Sequence, residues 1–372
     1  MDGREKINVR QFLLFLFLFV IGTSILLSPS NLASTAKEDA WISVGVAMAI
    51  GTGVILFYLL ISIWYPEHNM VDLNKVLFGK WVGTLFSLLF MLYALITAAT
   101  VLWTIGHFMV TQMLHETPQP FIHFLFMFVV IYAVYLGIET LARTGELFFP
   151  WVLILLLVIF VFSIPSINLD YVEPLLSSGA SPIVKSAWFD LTVSTFPLIV
   201  LFMVYPKLVQ DKKHMARKVI IAYLLGMLMI MTATFITTSV LGVEYTAHHI
   251  YPTYVLAKTL NVEGLIQRVE VIIAISWILT IFFKLSLYFY AAVTAFSQIF
   301  GAKNYRSLTF PFGLLVIALS LIVYPSSIYA AEWNQTTWLY YSTTFGVLYP
   351  ILITITTLVK KVFKRSLKGA SR

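Results

Sequence analysis

Ten apolar stretches, each long enough to cross a bilayer as a helix, decide most of what this chain can become. Crossing takes about 17–25 residues. Such runs fall at 11–33, 41–64, 81–113, 121–138, 147–167, 183–205, 219–243, 269–300, 308–329 and 338–359; the sixth contains Asp190 and the eighth contains Lys284. Backbone amides in hydrocarbon must bond within their own segment, and the runs lack the alternation of a barrel strand, so each is expected to be a helix. Composition agrees. Hydrophobic residues make up 60% of the chain and charged ones 11%, against about 25% charged in soluble domains. A soluble fold has no polar exterior to offer so apolar a chain; lipid removes that requirement. The expected fold class is an all-α integral membrane protein, a single membrane domain over residues 1–372.

The N-terminus carries Arg4, Lys6 and Arg10 before an apolar run, the pattern of a cleaved signal. The run from Phe12 to Leu27 is longer than the usual h-region of about 7–15 residues, and Gly22-Thr23-Ser24 interrupts it, so it reads as a retained first crossing.

The basic residues set an orientation. With the N-terminus inside, 19 of the 24 Lys and Arg fall in inner segments and four (Lys37, Lys185, Lys258 and Arg268) in outer ones. That asymmetry fits ten crossings with both termini cytoplasmic. It also explains the net charge of +7 without a nucleic-acid partner. The longest outer connection, 244–268, contains Pro252 and an apolar stretch, and is expected to carry a short surface helix.

Two crossings are interrupted. The first has Ile21-Gly22-Thr23-Ser24-Ile25 in mid-membrane, and the sixth has Ser194-Thr195-Phe196-Pro197. Proline donates no amide and clashes with the preceding turn, so a kink is expected near Thr195. The two crossings enter from opposite sides, as the first helices of two inverted five-helix repeats at about 8–168 and 182–360 would. Paired breaks point to a midplane site, where half-helix ends and unwound carbonyls meet a ligand. The competing explanation is close helix packing, which small residues also serve.

In the eighth run, Glu270, Trp277 and Lys284 recur every seven residues, with Thr280 and Tyr288 beside Lys284 at four-residue steps. Lys284 is either a fixed cation lining an internal cavity or a lysine snorkelling to the inner surface. Asp190 is expected to pair with Arg268 or to meet ligand. In the third run Tyr93, Thr97, Thr100 and Thr104 form a polar stripe, suited to bonding neighbouring helices or to lining a cavity. The chain has no cysteine, which excludes disulfides and thiolate chemistry. His248-His249 are adjacent in a loop, poor geometry for one metal, and no phosphate loop or His-Glu-x-x-His occurs. Neither an enzyme nor a cofactor is expected.

The break Ile21-Gly22-Thr23-Ser24-Ile25-Leu26 and the run Phe78-Gly79-Lys80-Trp81-Val82-Gly83 carry a resemblance, together with Ile266-Gln267-Arg268-Val269-Glu270, Trp277 and Tyr288-Phe289-Tyr290-Ala291-Ala292. In order and spacing, over nearly the whole chain, they resemble the B subunit of bacterial spore germinant receptors. This is the endospore germination permease family, within the amino acid–polyamine–organocation transporter superfamily. The resemblance implies a subunit that binds a small nutrient, often an amino acid, in the spore inner membrane or cell membrane. It also implies two partners, a membrane-embedded A subunit and a lipoprotein C subunit. By analogy the ligand meets the first, third, sixth and eighth crossings, which maps onto Gly22, Thr23, Ser24, Tyr93, Thr97, Thr195 and Lys284. One departure is that Phe196-Pro197-Leu198-Ile199 puts no acidic residue after the sixth-crossing break, where some relatives carry one. The sequence leaves open a nutrient sensor, a working amino-acid permease and a membrane scaffold.

Overall fold

The computed structural model describes residues 5–210, 214–260 and 269–369. Eight helical stretches are long and apolar enough to cross a membrane, and a bent pair makes a ninth. The first of the eight, Val9–Trp64, is 56 residues long, or about 84 Å of helix, far more than a hydrocarbon core of about 30 Å. It doubles back, because Phe12 and Leu16 near its start line one recess with Ile55, Tyr58 and Leu59 near its end. Among the described residues the helices therefore make ten crossings.

The first crossing is α1 (Val9–Ile21) and α2 (Ser24–Ala36), separated by Gly22 and Thr23. α3 (Ala40–Trp64) returns. α4 (Met70–Phe108) holds a sharp bend at Gly79, whose φ of 78° favours glycine. The bend separates a short helix from the third crossing. α5 (Gln119–Leu136) and α6 (Ile138–Ser163) are the fourth and fifth. The sixth begins as α7 (Ala180–Ser194), and past Thr195 it tightens into a 3-10 segment over Phe196–Met203. Pro197 supplies no amide to an α-ladder there, so the kink falls where the sequence placed it. α8 (Met215–Leu241) is the seventh crossing.

The connection that follows, expected to carry a surface helix, departs from that expectation. It forms two short helices, α9 (Val243–His248) and α10 (Pro252–Thr259), and α10 is packed inside rather than lying on the surface. Tyr254, Leu256 and Ala257 are buried, and the Thr253 hydroxyl donates to the Ile25 carbonyl at 3.3 Å. The eighth crossing is α11 (Val269–Phe300). The ninth, α12 (Arg306–Ile322), stops short of the expected Tyr329 and turns by 99° into α13 (Ser327–Gln335). Pro325 cannot continue the helix, and the Ser326 hydroxyl caps the next one through the Tyr329 amide at 3.1 Å. The tenth is α14 (Thr337–Thr343), a π-bulge at Thr344–Leu348 and α15 (Tyr349–Gly369).

α1, α7 and α11 hold the buried core, and α5, α6 and α12 form much of the rim. On that rim Phe124, Phe128, Trp151, Ile154 and Leu314 stay exposed, as lipid-facing side chains do. The basic residues assigned to the inner side gather at one end. Lys207 pairs with Asp72 at 2.5 Å, and Lys75 and Lys360 bond the Gln298 and Val76 carbonyls.

At that end the N-terminal segment acts as a clasp. Ile7 bridges to Val209 through two backbone hydrogen bonds, from Ile7 to the Leu208 carbonyl and from Gln210 to the Ile7 carbonyl. The Glu5 carboxylate accepts from Arg306 at 2.5 Å, from the Tyr305 hydroxyl at 3.1 Å and from the Ile138 amide at 3.1 Å. One carboxylate thus joins the turn between α5 and α6 to the turn between α11 and α12. Glu5→Ala strands a partly buried Arg306 and is expected to destabilise the protein by about 1–3 kcal/mol. Thermal unfolding in detergent against wild type measures it, and an unchanged midpoint refutes the clasp.

Candidate functional site

α1 and α2 meet at a break because glycine and two hydroxylated residues interrupt an otherwise apolar helix. Gly22 closes α1 by donating its amide to the Leu18 carbonyl, and α2 starts at Ser24 with no side-chain cap from Thr23. The first amides of α2 are left for another partner. Lys284 lies across this break. A methyl group on Gly22 would come within 2.4 Å of the Lys284 Cδ and 2.9 Å of the Phe19 carbonyl oxygen. The glycine is there because the lysine stem occupies the space of a side chain.

The Lys284 ammonium donates to the Thr23 hydroxyl at 3.0 Å and to the Val193 carbonyl at 2.9 Å, and sits 5.1 Å from the Phe19 ring centre. The residue is 1% exposed. That rules out snorkelling. The lysine instead ties the first-crossing break to the end of α7, immediately before the second break.

Asp190, one turn before Ser194, is also buried. Its carboxylate accepts from Ser28 on α2 at 2.7 Å and from Ser194 at 3.2 Å. Ser194 meets Thr195, whose hydroxyl is 2.9 Å from the Tyr223 hydroxyl on α8. The expected partner Arg268 lies outside the described residues. Asp190 on α7 attracts Lys284 on α11 electrostatically, so two buried groups of opposite charge lie beside the second break.

Above the ammonium lies a cavity of about 280 Å³, small by the usual range of ligand sites of roughly 300–1,000 Å³. Lys284 and Thr23 line one end, and His248, His249 and residues of α13 line the other. Thr97, Thr100 and Thr104 form a wall. Their hydroxyls donate to carbonyls of their own helix, at Tyr93, Thr97 and Thr100, which leaves oxygen lone pairs for the cavity. Trp103, Tyr251, Tyr288 and Tyr324 supply aromatic surface.

Of the residues that the resemblance mapped as ligand contacts, Thr23, Thr97 and Lys284 line this cavity, and Thr100, Thr104 and Tyr288 from the polar stripes join them. Gly22 and Ser24 stand behind it, at the break. Tyr93 is buried among Phe345, Tyr341 and Trp338, with its ring 4.5 Å from Phe345. Thr195 is in the hydroxyl chain to Tyr223. Sequence reasoning missed His107 and Tyr251, paired Nδ1 to hydroxyl at 2.8 Å on the cavity wall. Tyr251 belongs to a connection with no periodicity to read, and only its folding inward brings it there. The Val193 carbonyl was equally invisible, being backbone.

The sequence model of a family described as "Spore germination protein" matches residues 6–328. The chain belongs to this spore germination protein family. Spore germination protein KB of Bacillus subtilis (strain 168) is 33% identical over 98% of each chain. Spore germination protein B2 of the same organism is 23% identical, over 95% of this chain and 94% of that one. Among solved structures, MhsT crystallised in complex with L-phenylalanine superposes with a TM-score of 0.70 at 13% identity, covering 96% of this chain and 99% of that one. A substrate-bound Na+-coupled sialic acid symporter gives 0.63 at 14% identity, with 93% and 80% covered. At such identities the likeness concerns the fold: this member of the spore germination family has a transporter-like membrane fold.

Gly22→Ala forces a methyl into the lysine stem and is expected to cost about 1–3 kcal/mol, as overpacking does in a filled core. Thermal unfolding of the purified variant checks this. A variant as stable as wild type means that the stem does not fill the break.

Proposed function

We propose that this chain is the nutrient-sensing membrane subunit of a spore germinant receptor, and that its nutrient is an amino acid. The observation that carries the reading is the buried Lys284 ammonium, bonded to both broken helices at one end of the cavity. A carboxylate entering there meets a fixed cation and the uncapped amino end of α2, both favourable to an anion. Thr23 and Thr97 contact the ligand directly. Gly22, Ser24, Tyr93 and Thr195 hold the surrounding geometry, and the aromatic walls take the side chain.

In this reading Lys284 also serves as a built-in cation in place of a bound sodium near the first-crossing break. The ligand acts by binding one arrangement of the two broken helices more tightly than another, the thermodynamic requirement for any ligand-driven change. The change passes to a membrane-embedded A subunit and a lipoprotein C subunit in the spore inner membrane, with both termini of this chain cytoplasmic. The chain is divided into inverted halves at about 8–168 and 182–360, each opening with a broken helix.

A second reading, an amino-acid permease working by alternating access, is favoured by the superposition on MhsT at a TM-score of 0.70. Reconstitution of the chain alone in liposomes separates the two. Ligand binding without concentrative uptake supports the sensor, and robust ligand-driven uptake supports the permease. Loss of a charged hydrogen-bond donor is worth about 1.5–3 kcal/mol, or roughly 10–100-fold in affinity. Lys284→Met is therefore expected to weaken amino-acid binding by that factor without sodium, with partial recovery as sodium is added. Isothermal titration across sodium concentrations measures it, and an unchanged response throughout overturns the assignment.

A further inference from the structure

A second recess of about 270 Å³ lies on the outside of the helix bundle, and neither Lys284 nor Thr23 lines it. Its walls are α1, α6 and α8, through Leu13, Leu14 and Phe17, Phe149, and Ile221, Ala222 and Leu225. Ile221 and Leu225 are 46% and 51% exposed, so the recess faces the surroundings of the bundle rather than its core. In a chain that spans a membrane, those surroundings are lipid.

Two cations stand at one end of this apolar groove. Arg10, in the first turn of α1, and Lys218, in the first turn of α8, both line it. Seven residues on, Phe17 and Leu225 line it too, so its apolar part runs about 10 Å along both helices. The groove therefore has charge at the inner surface and hydrocarbon below, the profile of a phospholipid standing in a leaflet.

The sign of the charge favours an anionic headgroup. Arg10 has a side chain 76% exposed and holds Glu146 through Nε at 3.3 Å. Gln11 donates to the other carboxylate oxygen at 3.2 Å, so Glu146 is already satisfied. Lys218 is exposed. His214 gives α8 no side-chain cap, so the first amides of this 27-residue helix add positive potential beside Lys218. The balance at the groove mouth is positive.

We propose that the groove between α1, α6 and α8 binds one anionic phospholipid. Its phosphate lies against Arg10 and Lys218, and an acyl chain lies along Leu13, Phe17, Phe149 and Leu225. The lipid rests on α1, the inner half of the broken first crossing, whose other end is held by Lys284.

The test uses the full-length protein in mixed micelles of dodecyl maltoside with equal amounts of palmitoyl-oleoyl phosphatidylglycerol and phosphatidylcholine, with retained lipid counted by native mass spectrometry. A basic residue near the surface is worth about 1 kcal/mol towards anionic lipid, or about five-fold. Two of them are expected to give wild type a preference of roughly 10–25-fold for phosphatidylglycerol. Arg10→Gln/Lys218→Gln is expected to bring this near even, whereas Lys80→Gln/Lys303→Gln, an equal charge loss at exposed inner positions, keeps it. Ala222→Phe fills the groove without changing charge, and is expected to lower retention of both lipids. The proposal is overturned if the Arg10/Lys218 variant keeps the wild-type preference, if the control loses it equally, or if Ala222→Phe retains lipid as wild type does.

Discussion

The arrangement of the whole centre depends on one ammonium in a place where a charge is expensive. Lys284 is held by the Thr23 hydroxyl, the Val193 carbonyl and the face of Phe19, with Asp190 one turn from Val193 on the same helix. A lysine at this depth is tolerated when it faces a polar interior and finds partners. Here the partners are the loose ends that two interrupted helices leave behind. The breaks and the lysine each satisfy what the other lacks: freed acceptors meet a donor, and the glycine of the first break makes room for the stem.

The same feature connects the cavity to the rest of the bundle. α11 carries Lys284 and Tyr288 to the cavity, and its far end reaches the inner turns where Gln298 bonds Asn69 and Lys75. Nearby, the N-terminal clasp joins three connections, two through Glu5 and one through Ile7. A second close approach fixes the sixth crossing after its break. The Tyr58 hydroxyl bonds the carbonyls of Gly346 and Phe196, and a methyl at Gly346 would lie 2.2 Å from the Phe196 Cβ. The π-bulge of the tenth crossing thus supports the 3-10 segment of the sixth. The two ends of the bundle thus differ: one is clasped by the N-terminal segment, and the other is lined by hydroxyls and aromatic rings.

Much of this was legible in the residues. Crossings were readable because hydrocarbon imposes a length and forbids charge, a rule that acts on sequence alone. The kink at Thr195 followed from Pro197, which lacks an amide wherever it stands. The stripe of Thr97, Thr100 and Thr104 followed from helical spacing. Tyr93, on the same stripe, shows the limit: spacing gives a shared face, but at its depth that face meets Phe345 and Trp338 instead of the cavity. The inward packing of α10 was beyond reach, because its apolar residues read equally well on a surface.

The sequence by itself determined the container: ten helices, two of them broken, and a lysine too deep to ignore. These are consequences of local chemistry, of what a bilayer and a missing amide demand of each segment separately. Tertiary structure decided the meaning of the lysine. Whether Lys284 reached for the surface or for the breaks depended on which helix packed against α11. So did the identity of its acceptors, one a backbone carbonyl some 90 residues away in the chain. No periodicity encodes such a contact, because it exists only after the helices have assembled.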